Sequence, residues 1–156
     1  MPIANSEIER PKPVIEQIRP EHTWQLRRDV LYPGMTKHEM EMEEDADGMH
    51  FGAFTDNKLA GVISLFQHGD EYQFRKLAVN TAMQNNGIGS ILLKYVIKHV
   101  EDDGGKRIWC NARTNAIGFY LKLGFTKTGE PFTKNGISYV IMQKWLTPLS
   151  DQQESV

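Results

Sequence analysis

Gln84-Asn85-Asn86-Gly87-Ile88-Gly89-Ser90 is the stretch of this chain best suited to holding a charged ligand. It lies between a strand-like run, Tyr72 to Val79, and an amphipathic helix that starts near Gly87. A glycine-bearing loop that feeds a helix turns several backbone N–H groups in one direction. The helix dipole adds partial positive charge at the same spot. Glycine at 87 and 89 omits the Cβ atoms that would keep an anion off the backbone. The loop therefore reads as a cradle for phosphate or pyrophosphate. A Walker loop would need Gly-Lys-Ser/Thr after its glycines, and none occurs. A dinucleotide fingerprint would need a third glycine, but position 92 is Leu92.

The elements around the loop follow from hydrophobic period and breaker residues. Val14 to Ile18 alternates and ends at Pro20, which predicts a first strand. Glu21 to Tyr32 carries Trp24, Leu26, Arg27, Val30 and Leu31 at helical spacing and stops at Pro33-Gly34. Thr36 to Ala46 predicts a second helix, with Thr36 as N-cap and Glu39 completing a capping box. Met49 to Thr55 and Leu59 to Gln67 predict a hairpin across Asp56-Asn57, and Glu71 to Val79 a third meander strand. After the loop, Ile88, Ile91, Leu92, Tyr95, Val96, His99 and Val100 make one apolar stripe that ends at Gly104-Gly105. Arg107 to Ala112 follows as a strand, then a short helix from Asn115 to Leu123 closed by Gly124. Phe125 to Phe132 and Ile137 to Trp145 predict a last hairpin over Asn135-Gly136.

Composition bounds the function classes. The 156 residues suit one domain (1–156), with an ordered core over about 13–146 and polar termini. A net charge of −2 argues against a nucleic-acid-binding face. The single cysteine, Cys110, excludes an intramolecular disulfide and suits a reducing compartment. Met1 to Pro13 lacks the apolar core of a signal peptide, and no run reaches the about 18 apolar residues of a membrane span. The expectation is a cytoplasmic protein. His22, His38, His50, His68 and His99 are scattered without ligand spacing, so no metal is expected.

Gln-x-x-Gly-x-Gly at 84–89 resembles the acetyl-CoA loop of the GNAT family, the Gcn5-related N-acetyltransferases. Ala116-Ile117-Gly118-Phe119-Tyr120-Leu121-Lys122-Leu123-Gly124-Phe125 resembles the same family's late A-x-x-x-Y-x-x-x-G-F segment. Gly129-Glu130-Pro131-Phe132, Gly136-Ile137 and a strand containing Met142 are similar to a bacterial branch. The element order β-α-α-β-β-β-α-β-α-β-β matches too, so the resemblance spans nearly the whole chain and implies an α/β fold with a mixed sheet.

The resemblance implies direct acetyl transfer from acetyl-CoA to a primary amine of a small molecule or peptide. The backbone of Leu77, Ala78 and Val79 would pair with the pantetheine arm, and the amide of Val79 or a neighbour would face the thioester oxygen. Backbone N–H groups from Asn86 to Ser90 would take the pyrophosphate, with Gln84 and Asn85 completing the loop. Tyr120 matches the tyrosine that protonates the departing thiolate, although it could also be plain apolar packing on a short helix.

Several positions depart from the family pattern. Gln73 stands where some members carry a catalytic glutamate, and a glutamine takes no proton. Glu71, two residues earlier on the same face, could act directly or through water ordered by Gln73, or be a solvated strand end. Arg113 could reach a phosphate of CoA or lie on the surface, and Asn115 could be only an N-cap. Cys110 reads as buried packing. The acidic run Glu39, Glu41, Glu43, Glu44, Asp45 and Asp47 could draw a cationic amine or form a solvated helix face. A non-catalytic acyl-CoA-binding sensor of the same fold is the alternative, and pairing of two copies through the C-terminal strands is left open.

Overall fold

The computed structural model describes residues 12–146. Alternating apolar positions fold into β1 Val14–Ile18, β2 Met49–Thr55, β3 Lys58–His68, β4 Glu71–Val79, β5 Arg107–Arg113, β6 Thr126–Lys134 and β7 Ile137–Trp145. They form one mixed sheet in the order β1-β2-β3-β4-β5-β7-β6. The tight hairpins need left-handed residues at both central positions, which Asp56 and Asn57 (φ 49° and 65°) and Asn135 and Gly136 (φ 53° and 78°) supply. Among the described residues, no helix is long and apolar enough to cross a membrane.

The parallel pair β4–β5 shapes everything downstream. Its register runs only from Glu71↔Arg107 through Tyr72↔Ile108 to Gln73↔Trp109. Beyond that point β5 stays with β7 as far as Arg113↔Tyr139, while β4 stays with β3. On the β3 side the register steps from Val62↔Ala78 to Ser64↔Arg75, so β4 bulges there. Lys76, inside the bulge, takes φ 58°, a left-handed conformation that costs a lysine roughly 1 kcal/mol or more. The two strands therefore part and leave an opening in the middle of the sheet.

Helix α2, Ile88–Asp102, covers one face. Its buried residues are Ile88, Leu92, Leu93, Val96, Ile97 and Val100, so the packed stripe is rotated from the expected one. Ile91 and Tyr95 lie outward, and the rings of Tyr95 and His99 lean on Phe51 at the margin (centroids 5.5 and 5.7 Å). The opposite face carries a smaller cluster in which Val62 and Ala78 meet Leu26, Val30 and Leu31.

The first expected helix is a composite. It opens as a 3-10 turn (Pro20–Thr23), passes through α1 (Trp24–Leu26) and ends as a π turn (Arg27–Leu31). The second expected helix, Thr36 to Ala46, is not formed. Two 3-10 turns stand in its place, His38–Met40 and Glu43–Asp47. Its capping box does form: Thr36 N–H donates to Glu39 Oε1 at 2.9 Å and Glu39 N–H to Thr36 Oγ1 at 3.3 Å. The backbone then turns extended at Glu41 and Met42 (ψ 130° and 144°).

The reason lies in Arg27, which is fully buried. Its Nη1 donates to the Met40 carbonyl at 2.9 Å, withdrawing an acceptor that a helix would use. Its guanidinium also forks onto Asp45 at 2.8 and 2.9 Å, and Nη2 reaches Ser64 Oγ at 2.9 Å. Ser64 lies 2.7 Å from His50 Nδ1, whose Nε2 lies 2.8 Å from the Asp45 carbonyl. A neutral His50 protonated on Nε2 satisfies all of these bonds: Ser64 donates to Nδ1 and Nε2–H donates to the carbonyl. Asp45, expected on a solvated helix face, is therefore the buried anchor of the 36–47 segment.

Removing one partner of a buried ion pair strands the other charge. Asp45→Ala is expected to lower unfolding stability by about 3–5 kcal/mol in denaturant titration. An effect below about 1 kcal/mol would mean that water replaces the carboxylate.

Burial, outweighing the nearby Asp45, holds the His50 pKa below its ordinary value. The unfolded chain then takes up the proton first, so this stability is complete above about pH 6.5 and drains as pH falls through the folded pKa. His50→Asn should flatten the slope of unfolding free energy between about pH 6.5 and 5. An unchanged slope would assign the acid sensitivity elsewhere.

Candidate active site

The parted strands wall a cleft of 360 Å³. Phe74 from β4, Cys110 from β5 and Tyr120 from α3 (Ile117–Lys122) meet in it. Helix α3 ends where Gly124 turns left-handed (φ 90°), and Phe125 N–H reaches back to the Tyr120 carbonyl at 3.1 Å. The Tyr120 ring is fixed by Phe119, Phe74 and Phe125 at centroid distances of 5.0, 5.8 and 5.8 Å. Cys110 from β5 is its buried neighbour in the cleft wall. Burial first, and then the Cys110 side chain, push the phenol well above its ordinary pKa, so Tyr120 keeps its proton. Burial likewise pushes the Cys110 thiol up to about 12, against a smaller opposing pull from the Tyr120 hydroxyl.

The loop after β4 is held by its own side chains. Asn80 N–H donates to the Ala60 carbonyl at 2.8 Å, and Asn80 Oδ1 accepts from Ala82 N–H at 2.9 Å. Gln84 Nε2 donates back to the Val79 carbonyl at 3.0 Å, clamping the loop to the strand end. Asn85 and Gly87 both take positive φ (68° and 79°) and swing the chain into α2. The first helical bond there is Ile91 N–H to the Gly87 carbonyl at 3.0 Å, so the amides of Ile88, Gly89 and Ser90 precede the ladder. A Cβ on Gly89 would meet Phe119 and Val79 at 3.6 Å, an ordinary contact. Nothing in the protein's own packing demands glycine at that position.

The site residues expected from sequence fall in three places. Tyr120, Leu77, Gln73 and Arg113 line the cleft, and Val79 leads from it to the loop of Gln84 to Ser90. Ala78 is buried against the opposite sheet face. Glu71 lies at the paired end of β4, where Arg107 Nη1 holds its carboxylate at 2.9 Å, and it is not part of the cleft lining. Arg113 is partly buried in the cleft wall: Nη2 donates to the Leu31 carbonyl at 3.2 Å, with its guanidinium 5.9 Å from the Tyr32 ring centre. Asn115 sits in the 3-10 turn Thr114–Ala116 ahead of α3, whose N-cap is Ala116.

Sequence reasoning passed over Lys76 and Tyr32, which share the cleft wall. Adjacent cations at 75 and 76 inside a strand were the available signal, because strict alternation would send one of them into the core. Among the described residues, no three His, Cys, Asp or Glu side chains gather as a metal site.

Residues 15–146 match the family model described as an acetyltransferase (GNAT) domain, and the chain belongs to that family. It is 31% identical over 142 residues to the Bacillus subtilis (strain 168) protein described as the uncharacterized N-acetyltransferase YitI, covering 85% of this chain and 95% of the relative. A Bacillus subtilis acetyltransferase solved in complex with CoA superposes with TM-score 0.71 at 20% identity, covering 87% of this chain and all of that one (100%). A GNAT family acetyltransferase from Elizabethkingia anophelis, solved with acetyl-CoA bound, gives TM-score 0.69 at 21% identity, covering 86% and 99%.

The Cys110 thiol should be inert in the folded protein. A chromogenic disulfide reagent at pH 8 is expected to label one thiol per chain only after denaturation; rapid native labelling would contradict the burial of Cys110.

Proposed function

We propose that the protein transfers the acetyl group of acetyl-CoA directly to a primary amine of a small molecule or peptide. The observation that carries this reading is the meeting of Tyr120 with the parted strands in one cleft, where β4 leads through the 80–87 loop into the start of α2. The strand edge of Leu77, Ala78 and Val79 offers main-chain groups to the pantetheine arm, as an added strand would. The amides from Asn86 to Ser90 suit the pyrophosphate, and the absent Cβ at Gly89 lets it approach. Titration of these donors is not needed, and their positions are fixed before the ligand arrives.

When acetyl-CoA is bound it supplies an activated acyl group. The amine nitrogen attacks the thioester carbonyl, the oxyanion develops beside the Val79 amide, and the C–S bond breaks. The leaving thiolate takes the Tyr120 proton, and the proton shed by the acylated nitrogen restores the phenol. Burial keeps that hydroxyl protonated, and its place in the cleft wall supports the acid role. An alkylamine is about one part in a thousand neutral at physiological pH, so its proton must also leave. Gln73 lines the cleft but only orients water. Glu71, further along the strand, is the relay that could receive the proton through such water, in competition with its pairing to Arg107.

Tyr120→Phe keeps the ring packing and deletes only the acid. It is expected to cut turnover about 10²-fold, followed as free thiol, while calorimetric affinity for acetyl-CoA holds. Full turnover would remove Tyr120 from the reaction. Tight CoA binding by the unaltered protein without thiol release to any amine would favour the acyl-CoA sensor instead.

A further inference from the structure

The wall of the cleft around the β4 bulge is unusually rich in positive charge. Arg75, Lys76, Arg113 and Lys134 line it, and among the described residues no Asp, Glu or His does. Arg75 is matched by Glu44 from the 36–47 segment. Lys76 has no carboxylate partner among the described residues: its Nζ donates to the Tyr32 hydroxyl and lies 4.5 Å from that ring's centre. Arg113 stands over the same ring and is otherwise spent on a backbone carbonyl. Two half-buried cations thus converge on one phenol. Burial lowers the Lys76 pKa, and although burial works the other way on Tyr32, Lys76 and Arg113 pull its pKa down.

Positive charge held partly out of water is costly unless an anion meets it. Lys76 is also the residue kept at positive φ, and strain retained at such a place points to use. The phosphates of CoA have separate donors, since none of the residues from Gln84 to Ser90 lines this cleft. Tyr32 follows the helical segment whose Leu26 and Leu31 pack on the sheet face opposite α2. The cations therefore lie toward the sheet face opposite α2, away from the helix start that would take the phosphates.

We propose that the acceptor amine also carries a carboxylate, held by Lys76 and Arg113 with the Tyr32 hydroxyl as a third donor. This inference rests on the acetyltransferase reading above and deepens it to amino-acid-like acceptors. A lysine point charge and an arginine fork suit a carboxylate, and the anion would leave the amine free to face the thioester.

The test compares amino acids with their carboxamides at saturating acetyl-CoA, following thiol release. The pairs differ in charge and scarcely in size. The carboxamide's amine is the less basic, so amine ionisation works against the expected order. The acid forms are expected to show kcat/KM at least about tenfold higher. Lys76→Met should erase most of that ratio and leave the KM for acetyl-CoA unchanged, and Lys76→Arg should restore part of it. Equal kcat/KM within each pair, or turnover confined to polyamines or aminoglycosides, would overturn the carboxylate pocket while leaving the transferase intact. A Lys76→Met effect on the KM for acetyl-CoA alone would reassign the cations to the cofactor and overturn it too. No thiol release with any amine, carboxylate-bearing or not, would instead overturn the transferase reading itself.

Discussion

The structure turns on a pairing that stops. After Gln73↔Trp109, β4 and β5 no longer share hydrogen bonds, so each presents an inner edge of unpaired backbone groups to the space between them. An internal edge of this kind needs partners from solvent or from a ligand. Both strands nevertheless stay in the sheet, because β3 and β7 hold their outer edges. The cleft is therefore braced from both sides, and the bulge at Lys76 directs β4 away from its neighbour. The candidate chemistry is arranged around that gap: the helix start beyond the end of β4, and Tyr120 and the cations in the wall of the cleft.

The segment bordering the gap is held by electrostatics more than by secondary structure. Arg27 gathers the Met40 carbonyl, the Asp45 carboxylate and Ser64, which tethers residues 36–47 to β3 without a helix. One half-buried acid of that segment, Glu44, then meets Arg75 at the cleft margin. The buried arginine thus determines where the outer wall of the site stands.

How much of this was legible in the sequence depends on the range of the forces involved. The strands, both Asn- and Asp-bearing turns and helix α2 are encoded by period and local backbone preference, and they were readable. The second helix was misread because its local signal, the capping box of Thr36 and Glu39, is real and present but governs a single turn. What overrides it is Arg27, at least 13 residues away in sequence from each of its partners in that segment. The stripe on α2 was rotated for a related reason: Leu93 and Ile97 face the core, whereas Tyr95 and His99 find Phe51 at the margin. The glycine loop and Tyr120 could be located from short motifs. The Lys76–Tyr32–Arg113 cluster could not: the adjacent cations at 75 and 76 signal a break in alternation, but the cluster joins three elements that no local pattern brings together.

Lys76 sets fitness for purpose against robustness. Glycine would adopt its backbone angle without strain, so a screen that rewards thermal tolerance alone would favour replacing the lysine. The product of such a screen would be a sturdier scaffold whose cleft wall has lost one of its cations. Engineering that ranks variants by melting temperature would therefore erode the feature that distinguishes this cleft from a generic one.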